Sequence, residues 1–242
     1  MRLILFSLII GLGLTCAANA DDRPVWLELV LAMDVSTSVD AREYELQQKG
    51  LGLAFADRDV IDAIEGSGGI AVSVVQWAGR GNVRQVLDWQ LVETGAEAVQ
   101  LGRRIAALPR AARGFTDIAG AIKVSSQSFS GNGYRGVRQV IDVSGDGTAT
   151  EINPSAARDI AVRSGIIVNG LVILNEDMDL GIMADEDTIG HYEQFVIGGP
   201  GAFLIVADGF EDFARAIREK LLREISGPLL SGLMPDSEVV RR

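Results

Sequence analysis

The run Asp34-Val35-Ser36-Thr37-Ser38 places a carboxylate and two hydroxyls at alternate positions. In an extended turn, alternate side chains face the same way, so Asp34, Ser36 and Ser38 can aim at one point. All three are hard oxygen donors. That donor set suits Mg²⁺, Mn²⁺ or Ca²⁺ and lacks the thiolate and imidazole ligands that zinc prefers. A plainer use exists, because Ser, Thr and Asp also cap helices. A second carboxylate, Asp146, follows the predicted buried strand Val137 to Val143 in Ser144-Gly145-Asp146-Gly147.

Both aspartates stand at the ends of strand-like runs. Trp26 to Val35 and Ile166 to Leu174 are nearly continuous in apolar residues, as parallel strands covered on both faces are. Ile70 to Ala78 and Val83 to Val92 are joined by Gly79-Arg80-Gly81-Asn82, a spacing that predicts a hairpin and an antiparallel edge. Ala202 to Ala207 reads as the last strand. Helices are predicted over Asp40–Ala56, Ala96–Leu108, Asp117–Phe129, Pro154–Ser164 and Phe210–Ile225. In the first, Gly50 and Gly52 suggest close helix-to-sheet packing, since glycine inside a helix otherwise costs about 1 kcal/mol. The last turns Phe210, Phe213, Ile217 and Leu221 inward, with Lys220 and Arg223 near its end matching the helix dipole.

This alternation predicts an α/β fold: a doubly wound, mostly parallel sheet with one antiparallel edge strand and helices on both faces. In such Rossmann-type sheets, ligands bind outside the carboxyl ends of the strands, where crossovers diverge. Asp34 and Asp146 are the acids at that address.

Other candidates carry less. Gly131-Asn132-Gly133-Tyr134-Arg135-Gly136 fits G-x-G-x-x-G, but it follows a helix and precedes a strand, the reverse of a dinucleotide loop. His191 is the sole histidine and reads as a solvated loop residue. The stretch Asn175 to Asp187 holds six acids without a base and reads as a solvated loop on the ligand rim, running to the Gly198-Gly199-Pro200-Gly201 turn. Asp142, inside a buried strand, calls for a hydrogen-bonded or arginine-paired structural role.

Asp34-x-Ser36-x-Ser38, the loop threonine in Gly114-Phe115-Thr116-Asp117-Ile118, and Asp146-Gly147, in that order, resemble the von Willebrand factor A domain and its metal-ion-dependent adhesion site. Val74-Val75-Gln76-Trp77 looks like the family's second strand. Phe115 departs from the family, which often has glycine there. The resemblance covers most of the chain and looks like an exported bacterial branch. It implies that Ser36, Ser38 and Thr116 supply hydroxyls to a divalent cation, with Asp34 and Asp146 binding directly or through water. It also implies a protein partner that supplies an Asp or Glu carboxylate, and no catalysis. The alternative is a metal-dependent phosphatase or hydrolase. Haloacid-dehalogenase-like enzymes keep D-x-D at the end of the first strand, but the second acid is here Ser36, and the following loops lack a lysine.

Charge and composition bound the rest. The chain has 242 residues, is 48% hydrophobic and carries a net charge of -11, which disfavours phosphate-neutralising contacts with nucleic acid. Arg2, the apolar run Leu3 to Leu14 and Ala18-Asn19-Ala20 form a secretory leader, residues 1–20, cut before Asp21. The run is about a dozen residues, short of the roughly 20 that span a membrane, so no stable insertion is expected after cleavage. A periplasmic or secreted protein follows. The only cysteine, Cys16, leaves with the leader, so the mature chain has no thiol chemistry. One domain is expected over residues 21–227, with a flexible tail over 228–242.

Overall fold

The computed structural model describes residues 22–149, 152–174 and 184–227. The leader, the tail and much of the acid-rich stretch therefore lie outside the described residues.

Six strands form one sheet: β1 (Arg23–Asp34), β2 (Ile70–Trp77), β3 (Val83–Val92), β4 (Tyr134–Gly145), β5 (Ile166–Ile173) and β6 (Leu204–Ala207). Their order is β3-β2-β1-β4-β5-β6, parallel throughout except for β2 against β3. The expected mostly parallel sheet with one antiparallel edge is thus present. β1 and β4 lie side by side, with Met33 opposite Ser144, and the chain winds outward from this pair in both directions. Their carboxyl ends form the switch point.

The helices are α1 (Ala41–Phe55), α2 (Arg58–Ser67), α3 (Gly95–Ala106), α4 (Ile118–Ser128), α5 (Ser155–Arg163), α6 (Ala184–His191) and α7 (Phe213–Ser226). A π-helical turn, Tyr192–Val196, continues α6. One apolar cluster packs α1, α2, α3 and α7 on one face of the sheet, and a second packs α4, α5 and the π-turn on the other. Alternate side chains of β1 feed the two clusters, Leu29 and Leu31 one, Val30 and Ala32 the other. This explains why its sequence is apolar throughout.

Gly50 and Gly52 serve helix-to-helix contact, not the predicted helix-to-sheet packing. A Cβ on Gly50 would lie 2.6 Å from Phe213 Cδ1, and one on Gly102 of α3 would lie 2.8 Å from the Gly52 carbonyl oxygen. Backbones cross where side chains are absent. α2 and α6 were not predicted: only two residues separate α2 from the end of α1, and α6 occupies part of the stretch read as loop.

The charge pattern of α7 also differs from the expected dipole match. Lys220 is fully buried and its Nζ meets Asp142 Oδ1 at 2.8 Å and Glu224 Oε1 at 2.7 Å. Asn169 of β5 donates to the same Glu224 oxygen at 2.9 Å. The partner of Asp142 is thus a lysine and not an arginine. Burial pushes Asp142 up to about 7, Lys220 pulling it back and Glu224 adding to the rise.

At the opposite end of the sheet from the switch point, the Trp26 indole donates to the Ile225 carbonyl at 2.7 Å. The start of β1 and the end of α7 therefore share one pole. The Gly131 to Gly136 segment lies at that pole too, where the Gly133 carbonyl accepts from Arg23 N–H. Gly131 and Gly133 have φ of 70° and 83°, so they make the reversal from α4 into β4. Among the described residues no helix is long and apolar enough to cross a membrane.

Candidate metal centre

β1 overruns its pairing by one residue, Val35 N–H donating to the Trp77 carbonyl at 2.9 Å, and then turns sharply. The turn is closed by Asp34 itself, whose Oδ1 accepts from Ser36 N–H at 2.7 Å. Asp40 caps α1 in a reciprocal box with Glu43, so the helix takes no cap from the Asp34–Ser38 run. The polar side chains of that run are left for another task.

Ser36 Oγ and Ser38 Oγ lie 3.0 Å apart, and Ser38 Oγ donates to Asp146 Oδ1 at 2.9 Å. A continuous polar chain thus joins the ends of β1 and β4. Asp34 and Ser36 are buried, and Ser38 is exposed, so the cluster opens to solvent on one side. The second oxygens, Asp34 Oδ2 and Asp146 Oδ2, are buried and have no hydrogen-bond partner among the described residues. Burial, then the charge of Asp146, pushes Asp34 up to about 8. Burial also raises Asp146. Two interior carboxylates this close need a proton or a cation between them.

The segment between α3 and α4 forms the second wall. Thr37 donates from both N–H and Oγ1 to the Gly114 carbonyl, at 2.9 and 3.2 Å, which locks the two loops together. Gly114 is needed there: its φ is 147°, and a Cβ would lie 2.9 Å from Gly79 N. Two residues on, Thr116 is 9% exposed. The following Asp117 donates its N–H to the Ala78 carbonyl and caps α4 through Gly120 N–H. Phe115 projects outward at 68% exposure. The structure thus joins Asp34, Ser36, Ser38 and Asp146 by hydrogen bonds and puts Thr116 in the loop clamped to them.

Several supporting residues were not anticipated. The Arg110 guanidinium donates to the Val35 and Ser36 carbonyls, fixing the first loop from the second. Gln76 Oε1 accepts from Ala111 N–H at 2.7 Å, while its amide donates to Tyr44 Oη and the Pro109 carbonyl. These bonds link residues 32 or more positions apart, so no local pattern announces them. His191 ends α6 partly buried and is not a solvated loop residue; its Nε2 accepts from Ala149 N–H at 3.2 Å, three residues past Asp146.

The donors fit a hard divalent cation: clustered hydroxyl oxygens, two carboxylates with unsatisfied buried oxygens, and no sulfur. Among the described residues no group of three or more His, Cys, Asp or Glu is placed to hold a metal ion, so hydroxyl oxygens have to make up the donor set here.

A comparison with curated proteins finds no match. Among solved structures, proximal thread matrix protein 1 of the mussel byssus matches with a TM-score of 0.61 at 16% identity, over 86% of this chain and 50% of that one. Another structure of that protein has a zinc-occupied MIDAS motif. The pilus adhesin SpaC of Lactobacillus rhamnosus GG matches at 0.59 and 16%, over 84% and 31%. A von Willebrand factor type A protein of Catenulispora acidiphila matches at 0.52 and 16%, over 83% and 43%. The chain spans half the length of the mussel protein and about a third of the adhesin. A family model described as a protein of unknown function (DUF1194) matches residues 24–229. With that match across most of its length, the chain belongs to the DUF1194 family and is built on the von Willebrand factor A fold.

Proposed function

We propose that the protein is an exported, non-enzymatic binding module that uses a divalent cation, Mg²⁺, Mn²⁺ or Ca²⁺, to recognise an acidic group on a protein partner. The observation that carries this reading is the pair of buried, unpartnered oxygens, Asp34 Oδ2 and Asp146 Oδ2, joined through Ser36 and Ser38. Ser36, Ser38 and Thr116 would supply neutral oxygens, and the two aspartates at most two negative charges. When bound, the cation supplies a positive centre with room for an anionic oxygen. Exposed Ser38 marks the side from which a partner's Asp or Glu would enter. The leader motif of residues 1–20 supports export to the periplasm or beyond.

The hydrolase alternative has less support, because the only histidine is engaged with a backbone N–H and Ser36 replaces the second acid of D-x-D. The test is thermal unfolding of the mature chain with EDTA and with Mg²⁺ or Mn²⁺. Binding confined to the folded state adds about 2.7 kcal/mol at 100 times Kd, roughly 5–10 °C for a domain of this size. Ser36→Ala and Asp146→Ala should abolish the shift. A full shift in both variants would sink the assignment of these residues. EDTA-sensitive capture of a partner, lost when one partner carboxylate is removed, would test the recognition step.

A further inference from the structure

Tyr192 opens the π-helical turn, whose wide closure is the Ile197 N–H to Tyr192 carbonyl bond at 2.9 Å. Such turns recur at functional sites because they re-aim a side chain against the helix that carries it. Tyr192 is fully buried, yet its hydroxyl has no hydrogen-bond partner among the described residues. A phenylalanine would fill the same space without leaving a buried hydroxyl unsatisfied.

The direction of that hydroxyl is fixed by Gly145, the residue before Asp146. A Cβ on Gly145 would lie 2.8 Å from Tyr192 Oη, 2.8 Å from Asp34 Oδ2 and 3.1 Å from Trp77 Cη2. Two unpartnered oxygens therefore converge on one point over the Gly145 backbone. Since both lie that close to it, they are no farther apart than about 5.6 Å, within the reach of two hydrogen bonds through a single water. Trp77 walls the point, and its own N–H is spent on the Ala32 carbonyl at 3.0 Å, so it offers Asp34 no donor.

We infer that Tyr192 is a positioning residue of the metal centre: its hydroxyl donates, through one bridging water, to Asp34 Oδ2 and holds that carboxylate in place for the cation. The inference rests on the metal-centre reading above and adds to it a contributor from the connection between β5 and β6. That connection includes α6 and the acids Asp185, Glu186 and Asp187. Cation affinity is thereby tied to how the end of α6 is seated.

Two measurements on the mature protein test it. Titration with Mg²⁺ or Mn²⁺ should show affinity weakened tenfold or more in Tyr192→Phe, the usual scale for partners of metal-binding carboxylates. The melting temperature in EDTA should stay the same or rise. In protein labelled with ¹³C at tyrosine Cζ, Mg²⁺ should shift the Tyr192 resonance and leave Tyr134 unmoved. Only Tyr44, Tyr134 and Tyr192 are present, so Tyr44→Phe and Tyr134→Phe assign the signals even if Tyr192→Phe folds poorly. Saturable Mg²⁺ binding that Asp146→Ala abolishes, combined with an unmoved Tyr192 signal and unchanged affinity in Tyr192→Phe, would overturn the role of Tyr192 alone. Wild-type protein that binds no Mg²⁺, or Asp146→Ala that binds it normally, would overturn the metal-centre reading and this inference with it.

Discussion

Arg110 holds the carbonyls of Val35 and Ser36 although it belongs to the other loop, so it ties the serine loop to the segment that carries Thr116. Arg110→Ala should weaken Mg²⁺ binding about tenfold and cost about 1–3 kcal/mol of stability, measured by titration and by denaturant unfolding. Wild-type affinity in this variant would mean that the Thr37 to Gly114 bonds suffice. Lys220 presents a separate case, a buried cation in contact with two buried carboxylates. Lys220→Ala should lose about 3–5 kcal/mol, because it removes the one cation that both Asp142 and Glu224 contact directly among the described residues. Folded Asp142 holds its proton to about pH 7, against 3.8 ordinarily, so the folded state binds more protons between those values. Stability should therefore fall as pH rises from about 4 to 7. Measured with saturating Mg²⁺, so that Asp34 does not add its own titration, Asp142→Asn should flatten that slope. Among these residues, Asp34, Ser36 and Ser38 could be read from i, i+2 spacing at the end of an apolar run, and Asp146 from the same logic. Arg110 and Tyr192 could not, because their meaning comes from atoms 74 and 158 positions away in the chain, a guanidinium reaching Ser36 and a phenol facing Asp34.

At the scale of elements, β5 was legible to within one residue because burial on both faces leaves a nearly unbroken apolar signature, whereas the half-exposed edge strand β3 starts and ends where predicted because the Gly79 to Asn82 turn sets it off. The short elements were not. α2 is a ten-residue amphipathic helix separated from α1 only by Ala56 and Asp57, and Asp57, which caps it, reads equally well as a loop residue. β4 begins at Tyr134 and not Val137, since its first residues face solvent and pair with the start of β1. The glycine signal was real but assigned to the wrong neighbour. Where α1 crosses α3, Gly52 and Gly102 let carbonyl and Cα approach at a distance that no side chain permits. Gly102→Ala should accordingly destabilise the protein in urea by about 1–3 kcal/mol, despite the better helix propensity of alanine. A gain in stability would mean that the two helices separate freely.

For the molecule as a whole, the sheet has a polarity. Strands β1 and β4 carry Asp34 and Asp146 to one end, while Trp26 and Ile225 meet at the other. The chain therefore enters and leaves the domain at the pole farthest from the clustered oxygens. Anything attached at residue 22 or residue 227, whether a matrix, a fluorophore or a fused protein, holds the domain by the pole opposite Asp34 and Asp146. Protein immobilised through residue 22 or residue 227 should bind Mn²⁺ with the affinity it has in solution, measurable by surface-coupled titration. Immobilisation through an introduced Cys at exposed Thr37 should block it, in protein prepared without residues 1–20 and therefore without Cys16. A loss of binding from the chain-end attachments would show that the two poles are not independent. With them independent, the domain can be arrayed on a surface with every face that carries Asp34 and Asp146 turned outward, which would convert weak single contacts at the proposed site into multivalent ones without any change in it.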